Sequence, residues 1–345
     1  MQQLFILAYD EASDQTMSQF LVRRFRLKFG GFVFTPDLEY KVELGLSNRD
    51  ISVDKEDGNT RDAARIIFDA VLKWKFAKNW ALWVGQTKLP GNRERVISSG
   101  SLQFVDRSLL NSAYNIDRDA GLQLRGKFDL GNTIIAPSFS ISQGEGRNIT
   151  STNAGGYDYT AHVDFLPLGE FSNKGDFISA DLEREQSPKL AIGLTYDYND
   201  GAVRQGGQLG NFVQDSLGNY VENSLSTFFI DLMFKYQGFS LLSEYANKSA
   251  AHQIEDISKG FLTGTGFTAQ VGYLFNNNLE IALRYTNLRR EDDLSAISDE
   301  DQYTLGVSKY IVDHNLKVQG DITRSTFPDI SDGAYQFRMQ VEMQF

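Results

Sequence analysis

Apolar and polar positions alternate with a period of two along most of this chain. Phe25, Leu27 and Phe29 stand against Arg24, Arg26 and Lys28, and Leu38, Tyr40, Val42 and Leu44 against Glu39, Lys41 and Glu43. The same alternation returns at residues 66–76, 122–128, 157–165, 190–198, 228–236, 267–273, 279–285, 316–322 and 337–345. Each such run is a strand with one apolar and one polar face. Fifteen clear strands begin near Ser18. Because the first and last enter from the same side, an even count requires one more, and Gln3 to Tyr9 is the candidate. The expectation is therefore sixteen antiparallel strands in one domain, residues 1–345.

Tight turns alternate with long polar connections, which is the rhythm of an outer-membrane β-barrel with short periplasmic turns and long extracellular loops. Short turns are expected at Gly30-Gly31, 77–79, 129–131, 237–238, 276–278 and 312–314. Long loops are expected at 10–17, 48–60, 88–116, 144–155, 200–223, 248–263, 290–300 and 326–334. The third is the longest and is expected to fold inward. The connection 168–187 is long for the short-turn side. A soluble β-sandwich would also alternate, but its strands average about five or six residues. Strands of about 9 to 11 residues suit a tilted crossing of hydrocarbon. Trp74, Phe76, Trp80, Phe128, Phe165, Tyr236, Phe239, Tyr273 and Phe275 gather beside the short turns, where an interfacial girdle belongs.

Composition narrows the chemistry. The 345 residues include no Cys and 3 His, which excludes thiolate nucleophiles and makes Cys or His metal sites unpromising. A net charge of −11 argues against a nucleic-acid partner. Nothing before the first periodic segment resembles a leader with a cleavage site, so the expectation is a mature chain carrying a start Met. No cofactor and no metal is expected. His162 near Asp158 and Asp164 lacks an identifiable nucleophile, and it reads as a polar lumen residue rather than part of an enzyme. The acidic run 291–301 is either a solvated loop or a holder of divalent cations that bridge lipopolysaccharide.

Several segments carry a family likeness. Arg23 to Leu27 followed by the Gly pair, Gly85-Gln86-Thr87-Lys88-Leu89-Pro90, Arg118-Asp119-Ala120-Gly121-Leu122-Gln123, Pro167-Leu168-Gly169 and Asp313-His314-Asn315-Leu316-Lys317 resemble the phosphate-selective porin O and P family, in particular its Bacteroidetes-type members. The terminal Phe345 resembles the assembly signal of outer-membrane barrels. The resemblance implies a sixteen-stranded porin of the bacterial outer membrane, usually a homotrimer, passing phosphate or other small anions. The long turn 168–187 fits it as well.

By strand parity the inward faces carry more Lys and Arg than Asp and Glu. The candidate pore-lining residues are Arg24, Arg26, Lys28, Lys73, Lys75, Lys88, Arg93, Arg95, Arg125 and Lys127. Lys and Arg rings are how anion pores concentrate phosphate, and guanidinium matches it bidentately. Carboxylates interleave with nearly every cation, so the same residues can instead pair across strands. Two functions stay open: a diffusive outer-membrane porin, or a barrel plugged by its loops or by a partner and acting as an assembly scaffold. Outer-membrane lipid and lipopolysaccharide are the expected surroundings.

Overall fold

The computed structural model describes residues 1–51, 66–149, 155–254, 260–291, 295–328 and 330–344. The first strands are β1 (Gln2–Asp10), β2 (Gln15–Arg24), β3 (Arg26–Val33), β4 (Thr35–Gly45), β5 (Ile67–Ala77) and β6 (Trp80–Lys88). Then come β7 (Arg118–Gly126), β8 (Phe128–Leu130), β9 (Thr133–Ser142), β10 (Asp158–Leu166), β11 (Lys189–Ala202) and β12 (Asn223–Tyr236). The last are β13 (Phe239–Ala250), β14 (Gly264–Leu274), β15 (Leu279–Arg290), β16 (Glu300–Val312), β17 (Leu316–Phe327) and β18 (Ile330–Met343).

All eighteen belong to one antiparallel sheet, and β1 pairs with both β18 and β2, so the sheet returns on itself. The count differs from the sixteen expected because two long strands are each broken at one residue, Phe25 between β2 and β3 and Lys127 between β7 and β8. A chain passing without a turn through both breaks still makes sixteen passes. The strands Gln2–Asp10 and Ile330–Met343 flank the closure, with Gln2 opposite Glu342 and Asp10 opposite Ala334.

The surface is inverted relative to a soluble protein. Along β12, Thr227, Asp231 and Lys235 are buried, whereas Phe228, Ile230 and Tyr236 are exposed. The same holds on β14 to β17, where Gln270, Thr304, Ser308 and Gln319 point inward and Val271, Leu283, Leu305 and Ile322 point out. With no apolar partner layer outside, this pattern is stable only where hydrocarbon covers the outer face. No described helix is long and apolar enough to cross a membrane. Aromatic pairs do gather at the short-turn end, with Trp74 and Phe76 rings 5.7 Å apart, Trp80 and Phe128 5.5 Å, and Tyr273 and Phe275 5.1 Å.

Three expected connections differ. Gly30 and Gly31 do not turn: they sit inside β3 opposite Lys41 and Tyr40, and a Cβ on Gly31 would stand 3.1 Å from the Tyr40 ring. That close ring contact, rather than a reversal, is what the glycine admits. The turn comes at Phe34, which takes φ of 62° between the paired Val33 and Thr35. The connections 10–17 and 326–334 are also short, because pairing continues to Asp10 with Gln15 and to Phe327 with Ile330. Most of the loop 48–60 lies outside the described residues.

Candidate functional site: a lumen divided by two inward segments

The third connection, residues 89–117, runs through the barrel, as expected. It carries two short helices, Arg93–Val96 and Leu109–Tyr114, the second capped by Ser108, whose side chain accepts from the Asn111 amide. Leu89, Ile97, Leu102, Phe104, Val105, Leu110, Tyr114 and Ile116 are all at most 3 % exposed. They explain the inward apolar residues of the far wall. Leu110 and Tyr114 pack with Phe229, Ala246 and Leu288, and Ile97 and Leu102 pack with Met233 and Leu242.

Polar contacts fix the path. The Glu94 amide donates to Glu244 Oε1 at 2.5 Å, and Gln103 donates to Ser240 Oγ at 2.7 Å and Glu280 Oε1 at 2.6 Å. Lys317 Nζ donates to the carbonyls of Gly100 and Leu102, both at 3.0 Å, and the Val105 amide donates to Asp321 Oδ2 at 3.0 Å. Glu244, Glu280, Asp321 and Lys317 on this wall therefore each have a loop partner, as burial requires.

The connection 168–187 also folds inward, which gives the long turn its physical account. Lys235 Nζ, on β12 and 2 % exposed, donates to the carbonyls of Gly175, Ile178 and Ala180 at 2.8, 2.8 and 2.7 Å. The Gly238 amide donates to Asp181 Oδ2 at 2.7 Å. Phe171 joins the apolar cluster of Ile97 and Leu102, and the Ser179 amide donates to the Ser101 carbonyl at 3.0 Å. The two inward segments thus meet and together cover the wall from β11 to β18.

The ten expected pore-lining cations fall into three groups. Lys88, Arg93 and Arg95 serve the loop. Lys88 Nζ donates to the Arg95, Val96 and Ile97 carbonyls, and Arg95 pairs with Asp117. Arg93 bonds Asp231 Oδ1 at 2.5 Å and also pairs with Asp164, and its side chain is 1 % exposed. Burial works against its charge, but Asp231 and then Asp164 hold the guanidinium more firmly protonated than usual.

Arg24, Arg26 and Lys28 share the inward face of one pass but not one role. Arg24 reaches Asp106 on the loop at 3.1 Å, and Arg26 pairs with Glu43 at 2.8 Å with its guanidinium 4.1 Å from the Phe68 ring centroid. Lys28 is exposed and has no ion pair among the described residues. Arg23, absent from the sequence expectation, also bonds Asp106, at 3.0 Å. A register shift between Gln2 and Gln3 leaves two residues of β2 opposite one of β1, and such a bulge turns an extra side chain inward. Burial raises the Asp106 pKa, but Arg24, Arg23 and Arg338 outweigh it and hold the carboxyl at about 2.

Lys73, Lys75, Arg125 and Lys127 form the third group, on the wall the two segments leave open. With Lys78 and Lys174 they line a cavity of about 720 Å³, facing Asp37, Glu39 and Asp129. A second cavity of about 530 Å³ shares Arg125, Lys127 and Lys174 and continues past His162, Asp164 and Glu170. Lys73 and Arg125 each lie 4.1 Å from the Trp83 ring centroid. Trp83 sits opposite Lys73 on β5 and Gln123 on β7, and that alternation was the signal available for its lumen face. Lys127 pairs with Glu170 of the inward turn, both more than half exposed. Lys174 lies in a segment without periodicity, so nothing in the sequence marked it.

His162 lies between Thr195 Oγ1, 2.8 Å from Nδ1, and Asp164 Oδ2, 3.1 Å from Nε2. Part of the acidic run 291–301 lies outside the described residues; within it Asp301 pairs with Arg289 at 2.8 Å and Asp299 accepts from the Arg290 amide at 2.7 Å. Among the described residues no group of three metal-ligating side chains occurs.

A barrel with a wide lumen, an inward third loop and lipid-facing apolar residues is a porin architecture. The sequence model of the family described as phosphate-selective porin O and P matches residues 4–330. The chain belongs to that family. It is an outer-membrane porin, and family and fold point to a channel rather than an enzyme. Among solved structures it is similar to an anion-selective porin from Comamonas acidovorans, with 10 % identity, TM-score 0.60, and 100 % of this chain and 98 % of that one covered. OmpF of Salmonella typhi in complex with daunomycin gives 12 % identity and TM-score 0.58 over 98 % and 95 %. The trimer form of OmpT from Vibrio cholerae gives 13 % identity and TM-score 0.56 over 98 % and 96 %. No curated protein matches the sequence. At such low identity the likenesses establish the shared fold, and selectivity must come from this porin's own residues.

Proposed function

We infer that this porin passes small anions, phosphate among them, along the β5 to β7 side of the lumen. The observation that carries the reading is the 720 Å³ cavity lined by six cations and three carboxylates in a protein of net charge −11. The far wall also holds charges, among them Asp231, Lys235, Glu244, Glu280, Lys317 and Asp321, but these are buried. What remains solvent-facing is the basic strip of Lys73, Lys75, Arg125 and Lys127. A cationic lining raises the local concentration of anions and compensates partial loss of their water.

Arg125 and Lys73 beside Trp83 supply charge with little side-chain freedom, since cations over an indole face are held in place. Lys88, Arg93 and Arg95 act as loop anchors in this reading, and Arg24 and Arg26 as anchors at the loop tip and the wall. The family description and the Comamonas porin's anion selectivity agree with an anion pathway. The trimer form of the Vibrio relative supports a homotrimer.

Variants test the strip. Lys73→Gln with Arg125→Gln removes two charges from the open wall, and the anion-to-cation permeability ratio in a planar bilayer falls by about threefold per charge, as expected for a unit charge several ångströms from the ion in water. Arg26→Gln combined with Glu43→Gln, which removes a paired charge together with its partner, leaves the ratio nearly unchanged. Equal effects at the two places would contradict this route. The scaffold reading rests on one observation, the contact of Ser179 with Ser101 that joins both inward segments, and folded protein that passes no current would favour it.

A further inference from the structure

The outer surface carries a feature unrelated to conduction. At mid-barrel, Val271, Leu283, Leu305 and Ile322 line a lipid-facing groove of about 560 Å³ whose floor is opened by the small side chain of Ala269, and Tyr303, Arg324 and Tyr335 line its long-loop end. Above it stands Arg324, exposed on the outward face of β17. Its cross-strand neighbours are Tyr303 on β16 and Tyr335 on β18, and its guanidinium lies 5.6 Å from the Tyr335 ring centroid. Among the described residues it has no carboxylate partner. The carboxylate beside the groove, Asp301, is already held by Arg289 at 2.8 Å and by the Tyr285 hydroxyl at 2.8 Å.

An unpaired arginine at the edge of an apolar band is costly unless an anion or the headgroup layer meets it. Tyrosines at that height mark the interface, and the long-loop end faces the outer leaflet. We propose that this groove is a binding site for a phosphorylated, acylated glycolipid of the outer leaflet, the lipid A portion of lipopolysaccharide. An acyl chain lies along Val271, Leu283, Leu305 and Ile322, and a lipid phosphate sits on Arg324, whose planar fork donates to two of its oxygens. A second copy of the chain fits less well, because it would have to bring its own carboxylate to Arg324 while the one at hand is engaged.

The test titrates folded, detergent-solubilised full-length protein with bisphosphorylated lipid A and with its dephosphorylated form, counting bound lipid by native mass spectrometry. Heat-modifiable gel mobility verifies the fold of each variant. Wild-type protein binds the phosphorylated form about tenfold tighter, as a charge-assisted bidentate contact requires. Arg324→Gln removes that difference, Arg324→Lys restores part of it, and Ala269→Phe weakens both lipids by filling the groove. A phosphate preference that survives Arg324→Gln overturns the site. So does an Ala269→Phe protein that loses its oligomer in lipid-free detergent yet binds both lipids as wild type does, since the groove would then be an interface between copies.

Discussion

The inward charges of this barrel have two distinct uses, and the surroundings of each residue decide which. Arg93 sits between Asp164 and Asp231 with its side chain 1 % exposed, so its charge is fully engaged in holding the third loop to β10 and β12. Truncating it would leave the fully buried Asp231 without its cation and Asp164 with His162 alone. The expected cost for Arg93→Ala is about 3–5 kcal/mol, measured as a lower unfolding midpoint in denaturant with the loop more open to protease. A variant as stable as wild type would mean that the pair is hydrated and the loop is held elsewhere. Lys75, exposed on the opposite wall, should be replaceable at little cost to stability. Strand parity puts Lys75 on the lumen side and an inward third loop brings Arg93 there, but neither separates their uses, because the difference depends on what two distant segments cover. Arg23 shows the same limit from another direction: an alternation with period two sends it outward, and only a bulge that the sequence does not display brings it to Asp106.

At the scale of elements, the strands were legible and the connections less so. Alternation survives along most of β11 to β18 because one face meets lipid and the other meets polar loop groups, and it lapses at Phe229, Met233, Ala246 and Leu288, where apolar loop side chains pack. Gly30-Gly31 misled because glycine serves a turn and a close ring contact equally well, and Tyr40 is what distinguishes them. The connection 168–187 had no periodicity to read; its position comes from Lys235, one lysine on β12 that gathers three of its carbonyls. Lys235→Met keeps the stem and removes the donor, leaving three buried acceptors to find water at a cost of about 1–3 kcal/mol each. The expected result is faster proteolysis between 172 and 187 and a larger single-channel conductance, with the strand content by circular dichroism unchanged. Conductance equal to wild type would show that the turn does not narrow the passage.

The whole molecule is a polar-lined cylinder with an apolar exterior, half filled by two of its own connections, and the half left open is the basic one. Its overall charge of −11 gives the opposite sign from the passage, so the selectivity of the open channel distinguishes the two directly. Purified wild-type porin is inserted in a neutral planar bilayer, a tenfold KCl gradient is applied, and the zero-current potential is read. Discrete conductance steps with a potential of the sign that chloride permeation produces, diminishing as salt screens the lining, is the predicted result. A potential of the sign that potassium permeation produces would contradict the anion pathway and would show that the acidic surface, rather than the Lys73 to Lys127 strip, governs what passes.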